Sequence, residues 1–379
     1  MVTWLEPFGI AVLWLVAFLR VPRSIRHRRQ RGITGVCFAI ALTMTIYRQP
    51  VLDLLMAVIP SGRAIDLVRH VLSISAGAFV LHVILAATGR ARHLGLLVGT
   101  TALVVAVLLV LDATAPAHAR SGITVPQMPM VYWVLFFGFK LVANSLCAYL
   151  CWRRQAEAED RSVRTGLAVF TLGMLSCDVL WVVHLVYAAV RDPDLLPLIS
   201  PLMGVQALLV AVAAGLPLVA GVRRFLDDHR AHRRLRPLWL TLVTALPHVR
   251  ADSPHSRLTT FVSPRAMALV LYRVLIEVRD AILALRDHVP ADVAQRVVEQ
   301  VDGLDVPDAD RDAFVMALWL DAALEARRQG HGAREGHSTV SSLGGASPEE
   351  ELDFLLRVAE ARDSPLTAAT RPPTPEPRP

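Results

Sequence analysis

Residues 94–112 read Leu-Gly-Leu-Leu-Val-Gly-Thr-Thr-Ala-Leu-Val-Val-Ala-Val-Leu-Leu-Val-Leu-Asp, with no charged side chain before the last position. At about 1.5 Å of helical rise per residue, such a run is long enough to cross the hydrocarbon core of a bilayer. Working outward from it, six more runs of this kind lie at 4–19, 33–49, 66–88, 130–152, 165–190 and 198–222. The first two are short and need flanking residues to complete a crossing. Val51–Ile59, bounded by Pro50 and Pro60, is too short to span and is read as an interfacial piece on the outer side. The rival reading merges it into a long second span.

Composition divides the chain at the end of the last run. Residues 1–222 hold 18 Lys/Arg and 10 Asp/Glu, whereas 223–379 hold 21 and 23. The first part is membrane-like and the second soluble. Over the whole chain, 54% of residues are hydrophobic and only 19% charged, against about 25% charged in soluble domains. An ordinary cytosolic enzyme, a secreted disulfide scaffold and a disordered chain are all excluded. Cys37, Cys147, Cys151 and Cys177 fall inside apolar runs, so no disulfide framework is expected.

The pI of 9.6 invites a nucleic-acid partner, but the placement of charge argues against one. Basic residues concentrate in four segments beside apolar runs: 20–32, 90–92, 153–164 and 223–236. Beyond residue 236 the chain has 15 basic and 21 acidic residues, without the basic face that phosphate neutralisation requires. These segments instead set orientation. They hold 18 arginines, while the opposite loops hold Arg48, Arg63, Arg120 and Arg191. Because positive loops stay cytoplasmic, the N-terminus is expected outside and the C-terminus inside. The basic cluster follows the first run rather than preceding it, so that run reads as a retained anchor and not a cleaved signal peptide.

The soluble part reads as helical. Ser263-Pro264 and Ser347-Pro348-Glu349-Glu350 pair an N-cap with a first-turn proline, and the second adds a capping-box glutamate. Leu271, Val274, Val278, Ile282 and Leu285 form one apolar stripe from Pro264 to about His288, with Arg273 and Glu277 at i,i+4 on the opposite side. Further helices are expected at 237–247, 291–301, 308–328 and 348–361. The organisation is a membrane domain over 1–222, a basic juxtamembrane linker over 223–236, a cytoplasmic helical domain over 237–361 and a disordered Pro-rich tail over 362–379.

Two charges stand near mid-membrane, Lys140 and Asp178. Each is expensive there, about 2.5–3.5 kcal/mol on insertion scales. Counted from the outer ends of spans 5 and 6, both lie about 15–18 Å deep at helical rise, so adjacent antiparallel helices can pair them. Asn144 shares the face of Lys140 at i+4. The three form a candidate polar site that serves either as a structural ion pair or as a site for a small molecule or ion. His70 and His184 share one depth near the outer surface, as a bis-histidine haem requires, yet histidines at an interface are ordinarily hydrated polar side chains. Cys147 and Cys151, with Cys177 on the next helix, read as small apolar residues. Phosphate loops, HExxH, CxxC and GxSxG are missing. His331 and His337 are too sparse for a metal site, and Asp305, Asp308, Asp310 and Asp312 lack the glycine and glutamate register of a calcium loop. No catalytic residue, metal or cofactor is expected.

The stretch Leu235-Arg-Pro-Leu-Trp-Leu-Thr-Leu-Val-Thr-Ala-Leu-Pro247, followed by Leu271-Tyr-Arg-Val-Leu-Ile-Glu-Val-Arg-Asp-Ala-Ile-Leu-Ala-Leu-Arg286, resembles the cytoplasmic domain of an actinobacterial family of multi-span membrane proteins labelled as candidate transporters. The resemblance extends over about residues 1–330. It implies a bacterial plasma-membrane location, several N-terminal spans and a helical C-terminal domain of unknown function, and it carries over no site residue. The expectation is therefore an all-α polytopic membrane protein with seven transmembrane helices and a cytoplasmic helical domain. Its expected role is a sensor or regulator with a cytoplasmic protein partner, the alternative being a small-solute transporter.

Overall fold

The computed structural model describes residues 4–26, 28–59, 61–114, 128–249, 264–286, 289, 291–329 and 339–370. Every regular element among them is helical, and the protein is all-α. It divides into two units, residues 1–220 and 221–379. The expected disordered tail over 362–379 is corrected in its first half: Arg362 and Asp363 end one helix and Pro365–Thr370 form another, started by Ser364, whose Oγ accepts from the Leu366 N–H at 3.3 Å, and by Pro365 in its first turn. Residues 371–379, His331, His337 and Arg120 lie outside the described residues.

The first unit contains α1 (Leu5–Arg26), α2 (Arg28–Ile46), α3 (Gln49–Val58), α4 (Gly62–Ala87), α5 (Leu94–Thr114), α6 (Met130–Gln155), α7 (Arg161–Val190) and the start of α8 (Leu196–Ala245). Among the described residues, six helices are long and apolar enough to cross a membrane, or seven if one bent pair counts as a single span. That pair is α2 and α3, which meet at 74°. Residues 33–49, expected to cross as a straight span, reach that length and apolarity only together with α3. Pro50 explains the bend. Its fixed φ and missing N–H suit the first turn of a helix and not its interior, so a new helix starts here with Pro50 in its first turn and Arg48 as its extended N-cap (φ −72°, ψ 137°).

Small residues set the closest helix contacts. A Cβ built on Gly9 of α1 would lie 2.7 Å from the carbonyl oxygen of Gly204 in α8, and one on Gly204 would lie 2.8 Å from the carbonyl carbon of Leu5. Two backbones thus touch directly at this crossing, as small residues permit between membrane helices. Arg20, counted in sequence among the cytoplasmic arginines, is 3% exposed and donates to the Ala214 carbonyl at 2.6 Å and to Gln30 Oε1 at 2.7 Å. The most extensive helix pair is α6 with α7. By contrast, α5 is largely unburied and presents Leu96, Val98, Leu103 and Val110 outward, the composition of a helix facing lipid. Asp112 at its end is buried and bound by Arg63 of α4, Nε to Oδ2 at 3.0 Å.

The second unit begins inside α8. Residues 223–236, read from sequence as a basic helical stub linking the two domains, continue the helix of the preceding run without interruption. Arginine, alanine and leucine are good helix formers, and no glycine or proline separates Gly221 from Pro237. The unit continues with α9 (Pro264–Arg286), α10 (Ala291–Asp302), α11 (Arg311–Arg328), α12 (Pro348–Asp363) and α13 (Pro365–Thr370). Its core joins Leu235, Leu238 and Leu242 to the α9 stripe of Val274, Val278, Ile282 and Leu285, and to Trp319, Leu320 and Leu355. Ser347 caps α12 by accepting from the Glu350 N–H at 3.3 Å, and Glu350 accepts in return from the Ala346 N–H at 2.9 Å. Glu277 corrects the sequence expectation. It lies on the inner face of α9, 3% exposed, accepting from Trp239 Nε1 and Arg273 Nε, each at 2.7 Å. Position 277 is three residues after Val274 and one before Val278, which places it at the flank of the buried stripe.

Candidate functional site: a polar cavity in the helical bundle

Lys140 extends from α6 toward α4. Gly77 makes room for it: a Cβ at position 77 would stand 3.5 Å from Lys140 Nζ and 3.7 Å from its Cδ. The ammonium donates to the Ser73 carbonyl oxygen at 3.0 Å and sits 4.8 Å from the centroid of the Trp181 ring. Lys140 is 6% exposed, and no carboxylate stands within ion-pairing distance of it among the described residues. One turn along α6, Asn144 donates through Nδ2 to Cys177 Sγ at 3.0 Å.

The expected pair with Asp178 is not formed. Asp178 accepts through Oδ2 from Ser145 Oγ at 2.9 Å, on the exposed side of the α6–α7 contact. The depth estimate fits both residues to one level, but Asp178 is rotated by one residue, about 100°, from Cys177, which faces inward with Asn144. Lys140 and Asn144 therefore line one cavity, and Asp178, which reaches Ser145 and Asn144, does not line it. Lys140→Met and Asp178→Leu are expected to act independently. In thermal denaturation of the detergent-solubilised protein the double variant should lose the sum of the two single losses, and recovery in the double would reveal a pair after all.

A cavity of about 310 Å³ opens beside Lys140. Six helices line it: α2 with Ile40 and Met44, α3 with Gln49 and Leu52, α4 with Asp66, Arg69 and His70, α6 with Trp133, Phe136, Phe137, Lys140 and Asn144, α7 with Cys177, Trp181 and His184, and α8 with Met203 and Gln206. Trp133 stacks on Phe137 at 5.6 Å between centroids, and Phe137 tilts against Trp181 at 5.8 Å. Both histidines that the sequence places at one depth line this cavity. His70 Nδ1 meets the Tyr132 hydroxyl at 2.8 Å, and His184 Nδ1 donates to the Leu180 carbonyl at 2.8 Å.

Sequence reasoning overlooks several of these groups. Asp66 and Arg69, inside the third apolar run, neutralise each other at 3.1 Å, and the Arg69 guanidinium lies 4.2 Å from the Tyr47 ring centroid. Their i,i+3 spacing was the available signal. Gln206 and Trp133 carry no such signal, because only tertiary packing turns them toward one space. A second groove of about 660 Å³, between α4, α5 and α6, is mostly apolar, with Arg90 and His93 at one end. It has no counterpart to the buried Lys140 ammonium.

Residues 224–364 match the model of a family of unknown function (DUF6545), a stretch that begins within α8 and ends just beyond α12. No curated protein and no solved structure matches the chain.

Proposed function

We propose that the protein is a membrane sensor or regulator. In this reading the helical bundle takes a small ligand, and the C-terminal helical unit, on the cytoplasmic side, binds a protein partner accordingly. The observation that carries the reading is the cavity itself, with a buried lysine amine that no carboxylate among the described residues pairs and with aromatic walls, inside a bundle made of apolar helices. Binding sites of this kind are concave, mostly apolar and fitted with a few polar groups. A link between the two functions is available in α8, which contributes Gln206 to the cavity and Leu235, Leu238 and Leu242 to the second core.

One observation favours transport of a small solute as the second reading. The broken pair α2–α3 lines the cavity through Ile40, Gln49 and Leu52, and many transporters build midplane sites from interrupted helices. Capture in native membranes separates the two. The sensor reading expects a cytoplasmic protein retained by the full chain and lost on deletion of residues 224–364. Transport expects instead Lys140-dependent solute uptake into vesicles that survives that deletion.

The orientation in this proposal is N-outside and C-inside, in a bacterial plasma membrane. It rests on the 18 arginines of the segments after alternate runs against four in the opposite loops. A reporter active only in the cytoplasm should be active when fused after Gly221 and silent after Ala117. The reverse pattern would overturn the orientation.

A further inference from the structure

The geometry points to a small organic monocarboxylate with a flat apolar body as the ligand of the Lys140 cavity. This rests on the reading of the cavity as a ligand site and adds the chemical class. Three observations specify it. The first is charge. Lys140 Nζ has one carbonyl partner and one indole face, so two of its three N–H donors remain for a ligand. The other cation lining the cavity, Arg69, is already matched by Asp66. The lysine amine is held as a cation most favourably when an anion meets it, because a buried cation is costly until it is both paired and hydrogen-bonded.

The second observation concerns donors. Trp133, 6% exposed, has an indole N–H with no acceptor among the described residues. A buried donor left without a partner is a penalty that an oxygen-rich ligand removes. Asn144 and Gln206, each 6% exposed, add amide groups to the same lining. The third is shape. The Trp133, Phe137 and Trp181 rings succeed one another at 5.6 and 5.8 Å, which offers flat apolar walls to the rest of the molecule. A volume of about 310 Å³ admits a ring of this kind.

Titration of the full-length protein in lipid nanodiscs, read by calorimetry and by the fluorescence of the cavity tryptophans, tests this with benzoate as probe. Benzoate should bind at one site. Its neutral isostere benzamide should bind at least tenfold more weakly, and inorganic phosphate and palmitate should not compete. Lys140→Met should weaken benzoate at least tenfold. Trp133→Phe, which keeps a ring but removes the N–H, should weaken it severalfold, and it serves if the lysine variant does not fold. Benzamide binding as tightly as benzoate, palmitate displacing benzoate, or benzoate affinity unchanged in both variants would overturn the inference. Lys140-dependent binding of phosphate in place of benzoate would remove the monocarboxylate class while keeping the cavity as a ligand site. If no probe binds, both the class and the ligand-site reading fall.

Discussion

Val278→Asp is expected to unfold the second unit. Val278 is fully buried in the core formed by α8, α9, α11 and α12. The substitution loses about 1.5–3 kcal/mol of apolar burial. It also places a carboxylate among leucines, valines and a tryptophan with no cation to pair it, at a further cost of several kcal/mol. Domains of this size hold only about 5–15 kcal/mol in total. Limited proteolysis of the full chain should show residues 264–363 cleaved rapidly in the variant while 1–220 stays protected. Leu283→Asp is the control on the same helix. That side chain is 44% exposed, so the variant should resist protease about as well as wild type. Equal resistance of Val278→Asp and wild type would mean that α9 does not bury the stripe described.

The second large effect is expected at the crossing of α1 and α8. A Cβ at Gly204 would meet the Leu5 Cγ at 2.8 Å and, besides it, two backbone atoms, the Leu5 carbonyl carbon at 2.8 Å and the Glu6 nitrogen at 2.9 Å, and backbone cannot rotate away as a flexible side chain can. Gly204→Ala should therefore force the helices apart, costing about 1–3 kcal/mol as overpacking does. Gly204→Leu should prevent accumulation of folded protein. Gly99→Ala in α5 makes the comparison, since nothing lies within 4 Å of a Cβ there. It should be neutral or slightly stabilising, because alanine is the better helix former by about 1 kcal/mol. Thermal unfolding in detergent, followed through monomer yield, reads all three. Wild-type melting of Gly204→Leu would contradict the close crossing.

The spans are legible in sequence because crossing a bilayer demands length and apolarity, and both are sums over neighbouring residues. Pro50 marks the break after α2 for a similarly local reason, since a proline suits the first turn of a helix and not its interior. The continuity of α8 is less legible. Arg223–Arg236 carries the charge pattern of a cytoplasmic segment, and that pattern says nothing against helix. The candidate site is legible only in part. Lys140 stands out because a charge in an apolar run is conspicuous, and Asn144 follows from i,i+4 spacing. Asp178 stands out equally but does not line the cavity, since depth follows from counting residues and azimuth follows from packing. Trp133, Gln206 and Gly77 belong to the cavity by tertiary arrangement alone. Gly77 in particular matters by lacking a side chain where Lys140 passes.

The central claim is that occupancy of the membrane cavity is read by the C-terminal unit. Gly77→Leu fills the space beside Lys140, whereas Gly77→Ala adds only a Cβ at ordinary contact distance, 3.5 Å from Nζ. Hydrogen exchange of the full-length protein in nanodiscs, compared among wild type and both variants, is the direct measurement. The account predicts that Gly77→Leu, and not Gly77→Ala, changes exchange beyond residue 220, in the second half of α8 and in α9. Changes confined to residues 1–220 in both variants would contradict it.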